Sequence, residues 1–257
     1  MEATTSLTQG ALYPNAHAQL SMATLPGDPY HEILRRTHLS LRPKTYVEIG
    51  IMYGDSLALA RPPTRAIGID PEPIVQHRFE APTTIYPLTS DAFFDQVQMR
   101  DAIGSDHFEM AFIDGLHTFD QTLRDFINLE KHAKKNSIVF IHDCIPLDAA
   151  TATRTQNTEF WSGDTWKIVP ILKRHRPDLA VRVIATCPTG LAVVTNLDPN
   201  SKILDHEWPN IVSEYMSLGD DYLDEDRTGK LNIFPNDWAK IEQILRDTRN
   251  LESAAPR

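Results

Sequence analysis

Five short apolar runs in the first half of the chain each end in a polar or acidic residue: Tyr46–Glu48, Ala66–Asp70, Thr84–Thr89, Phe108–Asp114 and Ile138–Asp143. The residues before Asp114 and before His142 are continuously apolar, as strands covered on both faces should be. Between the runs, Asp91–Ile103 and Thr118–Ala133 read as helices. In the second, Phe119, Leu123, Phe126 and Ile127 form one apolar stripe, and Thr118 with Gln121 stands at capping-box spacing. Strand and helix alternating in this way predict βαβ units and a parallel sheet.

After Asp143 the rhythm changes. A mostly polar stretch, 146–164, leads into a helix predicted over Thr165–His175. Two further apolar runs, Ala180–Cys187 and Leu191–Asn196, are separated only by Pro188-Thr-Gly190. So short a link makes a hairpin, because a parallel crossover needs a far longer connection. The fold class is therefore α/β: a doubly wound, seven-stranded, mostly parallel sheet with an antiparallel terminal hairpin and a helical C-terminal extension. The expected divisions are a loose polar segment over 1–27, the sheet domain over 28–197, and the extension over 198–257. The extension ends in a helix that Asn236 is placed to cap, with Trp238, Ile241 and Leu245 as its apolar stripe. Three placements are open to it: packing on the sheet, covering the site, or pairing subunits into a homo-oligomer.

Composition narrows the setting. With 41% hydrophobic and 23% charged residues in 257, the chain has the make-up of a soluble globular protein. No apolar run is long enough to span a bilayer, and 1–27 lacks the basic start and apolar core of a secretion signal. Two cysteines, Cys144 and Cys187, are too few for a disulfide framework and suit a cytoplasmic location. Cys144 reads as a packed residue. A net charge of -10 argues against a nucleic-acid or anionic-membrane partner, leaving a small molecule. The basic cluster Lys173-Arg174-His175-Arg176 reads as the solvated end of a helix.

Ligands of open α/β sheets bind at the carboxyl ends of the strands, so the residues ending the runs come first. Gly50 and Gly54 follow the first strand, where glycine lets backbone approach a ligand closely. Asp70 ends the second strand, placed to accept protons from both ribose hydroxyls. The three together indicate an adenosine-type ligand. Nicotinamide enzymes favour Gly-x-Gly-x-x-Gly, which feeds a pyrophosphate onto a helix N-terminus. Here the pattern is Glu48-x-Gly50-x-x-x-Gly54, and an acid beside the loop repels a pyrophosphate while suiting a cationic ligand.

These residues, with Phe112-Ile-Asp-Gly-Leu-His-Thr-Phe-Asp120 and Phe140-Ile-His-Asp143, resemble the class I S-adenosylmethionine-dependent methyltransferases, in motif the macrocin-type sugar O-methyltransferases. The resemblance covers about residues 46–196. It implies S-adenosylmethionine as cofactor, with Glu48, Gly50, Gly54 and Ser56 around the methionine portion, Asp70 on the ribose, and Ser90 and Asp91 against the adenine. The residues by themselves also allow Ser90-Asp91 to be a helix N-cap. The resemblance further implies a metal between the fourth and fifth strands and acceptor-binding elements after the fifth.

Methyl transfer to an alcohol needs an aligned, deprotonated oxygen, hence a base or a metal. Asp114-Gly-Leu-His117 offers both. His117 stands just before a helix start, which favours the neutral imidazole of a general base. Asp114 and Asp143 end neighbouring strands, and two carboxylates together invite a cation such as Mg²⁺. His142 and Cys144 flank Asp143 where resembling enzymes carry a further acid or amide, poorer ligands for a hard ion. The expected metal set is Asp114, His142 and Asp143, with Asp120 a first-turn acid stabilising the helix dipole. Asp164, Trp166 and Lys167 are the acceptor candidates, with cap and core filling as their structural alternative. The expected activity is methyl transfer to a hydroxyl of a small molecule, such as a sugar or glycosylated metabolite. The rivals are a catechol-type metal-dependent O-methyltransferase in which His117 is incidental, a nicotinamide dehydrogenase, and a binding module without catalysis.

Overall fold

The computed structural model describes residues 13–252. Its sheet takes strands β1 (Thr45–Ile49), β2 (Arg65–Ile69), β3 (Thr83–Tyr86), β4 (Met110–Ile113), β5 (Ile138–His142), β6 (Ala180–Ile184), β7 (Leu191–Thr195) and β8 (Ile233–Phe234). Their order is β3-β2-β1-β4-β5-β7-β6-β8. Every pairing is parallel except those of β7, which runs antiparallel to both β5 and β6. The expected terminal hairpin is thus present. The strand count differs from seven: the two-residue β8, from the extension, pairs with β6 at Val183↔Ile233 and Ile184↔Phe234.

Side-chain alternation divides the core by sheet face. Val47, Ile49, Ile67, Ile113 and Ile141 meet one set of helices, namely α3 (Ser90–Gln96), α4 (Met99–Ile103), α5 (Phe119–Glu130), α6 (Ile168–His175) and α7 (Ile203–Met216). Tyr46, Ala66, Met110, Phe112 and Phe140 face the other way, onto Ile33 and Leu34 of α2 (Tyr30–Leu41) and Ile241 and Leu245 of α9 (Trp238–Arg249). The extension packs on the sheet domain at both faces and its edge.

Several local expectations change. The described part of 1–27 contains a helix, α1 (Tyr13–Thr24), tied down by Ser21 Oγ donating to the Pro188 carbonyl; residues 1–12 lie outside the described residues. The span Asp91–Ile103 is two helices, parted at Val97 and Gln98, and the cap of the first is Thr89, whose Oγ1 accepts from Ala92 N–H. Thr165–Lys167 is a separate tight turn before α6. Arg176 is not solvated. It is 1% exposed and pairs with Glu130 at 2.6 Å and Asp178 at 2.7 Å, because it ends the helix facing inward.

The cap of α9 is Asp237 rather than Asn236, whose amide is spent on the carbonyls of Pro26 and Asp28. Asp237 Oδ1 accepts from the N–H groups of Ala239 and Lys240 at 3.1 and 3.4 Å. Asp237→Ala is expected to cost about 1 kcal/mol in urea unfolding, whereas Asn236 replaced by alanine should leave the helix cap intact.

Candidate functional site

A cavity of about 690 Å³ opens at the carboxyl ends of β1, β2, β4 and β5. Strand register builds it. Ile49 pairs with both Ile69 and Ile113, and Ile113 with Ile141, so Gly50, Asp70, Asp114 and His142 leave the sheet at one level.

At Gly50 the chain turns with φ of +82°, and a Cβ there would sit 2.0 Å from the Asp114 carbonyl oxygen. Only glycine fits that approach. Asp70 lines the cavity with its carboxylate already oriented: Oδ2 accepts from Ile51 and Met52 N–H, both at 2.9 Å, and Oδ1 from Glu72 N–H. Gly54, with φ of +83°, closes the turn but does not line the cavity. The chain then makes only the short turn Leu57–Leu59, so no α-helix N-terminus faces the cavity from this loop.

Glu48 departs from its expected place against a ligand. Its side chain is fully buried beneath the loop, where Oε2 accepts from Tyr46 Oη and Oε1 from Ser56 Oγ, both at 2.6 Å. Burial pushes its pKa up to about 8, against the pull of those hydrogen bonds. Ser56 lines the cavity but is engaged with Glu48.

On the far side of Asp70, Ser90 and Asp91 line the cavity. Ser90 Oγ donates to Asp125 Oδ1 at 2.5 Å, and Gln121 Nε2 donates to Ser90, Asp91 and Asp125. Gln121 is therefore no capping-box partner. The Thr118 side chain makes no cap bond either; Asp164 Oδ1 accepts from Phe119 N–H at 2.9 Å instead. Asp125, absent from the expected residues, is a buried carboxyl that burial raises to about 6 despite its donors.

The fourth and fifth strands bring Asp114, His117, His142 and Asp143 together. His117 Nδ1 lies 3.2 Å from Asp143 Oδ2 and its Nε2 3.5 Å from Asp114 Oδ1. His142 Nδ1 lies 3.2 Å from Asp114 Oδ1 and 3.5 Å from Asp143 Oδ2. Asp143 follows His142 and would point to the opposite face of a continued strand, but its φ of +59° turns it back, and Thr189 Oγ1 donates to its Oδ1 at 2.6 Å. Burial disfavours charge on both imidazoles, yet the carboxylates outweigh it and raise His117 to about 9 and His142 to about 10. The same imidazoles hold Asp114 well below the usual carboxylate range, against its own burial. These carboxylates favour the charged form of His117, opposite to the neutral base that its helix-start position implied. The carboxylates lie nearer than the helix end.

The expected acceptor residues do not reach the cavity. Trp166 is 0% exposed in the core, and Lys167 is buried with Nζ 3.1 Å from Asp164 Oδ2. Asp164, 2% exposed, caps α5. The neighbouring Phe160 and Trp161 line the cavity instead, Trp161 stacking on His117 at 5.3 Å and 20°. From the opposite wall come Tyr30 and His31, which the apolar runs did not reveal; the Tyr30 ring packs at a tilt against His142, centroids 4.1 Å apart. Their signal was helical spacing, since Tyr30, Ile33, Leu34 and Thr37 recur on one face of α2. Asp120 faces out to Arg154 at 2.8 Å, and Cys144 is fully buried with its thiol pKa pushed up by burial.

The cavity walls carry carboxylates, including Asp55, Asp70, Asp91, Asp114 and Asp143, and among the described residues no lysine or arginine. Among the described residues none after Thr189 lines it. Among the described residues no helix is long and apolar enough to cross a membrane.

No curated protein matches the chain by sequence. Solved structures similar to it include a SAH-bound methyltransferase of Podospora anserina, 12% identical with a TM-score of 0.46, covering 72% of this chain and 87% of that one. Another is the O-methyltransferase TomG of Streptomyces achromogenes in complex with SAM, 16% identical with a TM-score of 0.48, covering 72% and 89%. A third is an O-methyltransferase of Bacillus cereus in complex with SAH, 14% identical with a TM-score of 0.44, covering 70% and 89%. At such identities and scores these likenesses decide nothing about chemistry. Sequence similarity is more specific: residues 47–144, which supply Gly50, Asp70, Asp114, His117 and Asp143, match the family model described as methyltransferase domain. Much of the cavity wall, from Ile49 to Asp143, falls within that match.

Proposed function

We propose that the chain is an S-adenosylmethionine-dependent O-methyltransferase acting on a hydroxyl of a small molecule. The observation that carries this reading is the charge of the cleft. Its walls bear more carboxylates than cationic groups, Asp55, Asp70, Asp91, Asp114, Asp143 and Glu159 against the imidazoles of His117 and His142, with no lysine or arginine among the described residues, and the first loop presents no helix N-terminus. Such walls disfavour the phosphates of a dinucleotide and favour a ligand carrying an ammonium and a sulfonium. Asp70 suits the ribose hydroxyls, and the Ser90, Asp91, Gln121 and Asp125 group gives the adenine end its hydrogen-bonding partners. When bound, the cofactor supplies the electrophilic methyl group.

Asp114, His117 and Asp143 then face the acceptor, with Tyr30 and Trp161 offering ring faces to hold it. Two routes are open for the acceptor proton. In the first, the His117 imidazole takes it, which requires that the bridging proton be lost beforehand. In the second, Asp114, His117 and Asp143 would hold a divalent cation, which would supply Lewis acidity to the acceptor hydroxyl. The residues fit a cation, because one ligand atom each from Asp114, His117 and Asp143 lies within 4.8 Å of the others. That proximity favours the second route. His142 lies outside this group and takes the place of a supporting hydrogen-bond donor.

Calorimetric titration with S-adenosylmethionine and with NAD tests the cofactor. Binding of the first alone is expected, and binding of NAD alone would remove the proposal. A screen of hydroxylated acceptors with methyl-labelled cofactor should show label on oxygen, and prior treatment with EDTA should suppress it. Full activity in EDTA would eliminate the cation route.

A further inference from the structure

The sequence pattern pointed to His142 as a metal ligand and to Mg²⁺ or another divalent cation as the ion; the geometry favours a different ligand, and its donor chemistry a softer metal. Asp143 Oδ1 is occupied by Thr189, leaving Oδ2 turned toward His117. His117 and Asp143 both stand in the left-handed region, at φ of +58° and +59°. Such a conformation in a residue other than glycine persists only when its surroundings hold it there. For His117 the surroundings are specific. Gly163 packs so tightly on its carbonyl that a Cβ would lie 1.8 Å from that oxygen. Trp161 stacks on the ring, and Asp164 caps the helix that begins two residues later. Three elements therefore fix one imidazole between two carboxylates. His142, by contrast, directs Nδ1 at Asp114 and is backed by Tyr30, the arrangement of a group that orients a ligand.

We infer that His117 is a metal ligand together with Asp114 and Asp143, and that this site takes a first-row transition dication such as Mn²⁺ or Fe²⁺ in preference to Mg²⁺. The inference rests on the methyltransferase reading only for the purpose of the site, and its test uses neither cofactor nor acceptor. The reason is donor chemistry. Mg²⁺ is held by oxygen donors and keeps much of its water, so an imidazole adds little to its binding. Imidazole nitrogen strengthens binding of the later divalent metals, whose affinities rise from Mn²⁺ onward.

The experiment titrates the metal-stripped full chain with Mn²⁺ and with Mg²⁺ by calorimetry, Mn²⁺ also being followed by the loss of its free-ion electron paramagnetic resonance signal. The native chain should bind Mn²⁺ at least about 10-fold more tightly than Mg²⁺. His117→Asn is the informative variant, because asparagine tolerates the left-handed conformation and offers an oxygen in place of nitrogen. It should lose most of that preference through weaker Mn²⁺ binding, with Mg²⁺ affinity little changed. His142→Ala should weaken both ions and keep their ratio. An unaltered ratio in His117→Asn, or equal native affinities, would overturn the inference. Far-ultraviolet circular dichroism and the melting temperature of each variant establish that it is folded; should His117→Asn fail that check, His117→Gln is titrated in its place against the same ratio.

Discussion

Replacing His117 by alanine is expected to lower methyl transfer by about 10²- to 10⁴-fold, the range seen when a group that handles the reacting proton is removed. Binding of S-adenosylmethionine should stay within a few-fold of native. The separation follows from distance along the cleft. His117 contacts Asp114, Asp143 and Trp161, whereas Gly50, Asp70 and the Ser90–Gln121–Asp125 group make their contacts with one another and with neighbouring backbone. The effect is expected whether the imidazole takes the proton or holds a cation, since both routes need it beside the acceptor. Alanine tolerates the left-handed φ of +58° less readily than histidine or asparagine, so His117→Asn is the companion that keeps the turn. Single-turnover transfer of labelled methyl, paired with calorimetry, reads chemistry and binding separately. Native turnover in both variants would take His117 out of the reaction; lost cofactor binding would mean that it belongs to the other end of the cleft.

Much of this arrangement is legible from residue patterns, and the failures have physical causes. The buried parallel strands announce themselves because both faces are covered, which leaves little room for polar residues in Phe108–Asp114 or Ile138–Asp143. β8 is invisible because two residues, Ile233 and Phe234, carry no periodicity. Asp70 and Asp114 are found by rule, since strand ends fix where they emerge. Glu48 is misplaced by neglecting alternation: Tyr46 and Glu48 share a face, and that face belongs to α2 and α9 rather than to the cleft. Asp164, Trp166 and Lys167 are misassigned for a different reason. Their partners, Phe119 N–H and the core beneath α5, are remote in sequence, so no local pattern separates a cap and a buried indole from an acceptor site. The His117 charge state likewise depends on Asp143, a neighbour that only the turned-back φ of that residue delivers.

Glu48 leads to the second large effect, a stability that declines from acid toward alkaline pH. The folded chain holds this carboxyl near a pKa of about 8, because burial disfavours its charge more than Tyr46 and Ser56 stabilise it. The unfolded chain lets it titrate at the ordinary carboxyl value of 4.5. Between these values the folded state binds the additional proton, so this group's contribution to stability falls as pH rises. Below about 4.5 both states are protonated and no cost is incurred; above about 8 the cost is complete. The slope within the window is about 1.4 kcal/mol per pH unit, and the full difference is ~5 kcal/mol. Glu48→Gln mimics the protonated carboxyl, keeping an oxygen to accept from Ser56 and offering an amide N–H to the Tyr46 oxygen. Urea unfolding across pH 5 to 8 should show the native chain losing stability relative to the variant, the gap widening in the variant's favour as pH rises. Parallel curves for the two proteins would mean that Glu48 is ionised in the fold, with its charge stabilised by something other than the two hydroxyls that touch it.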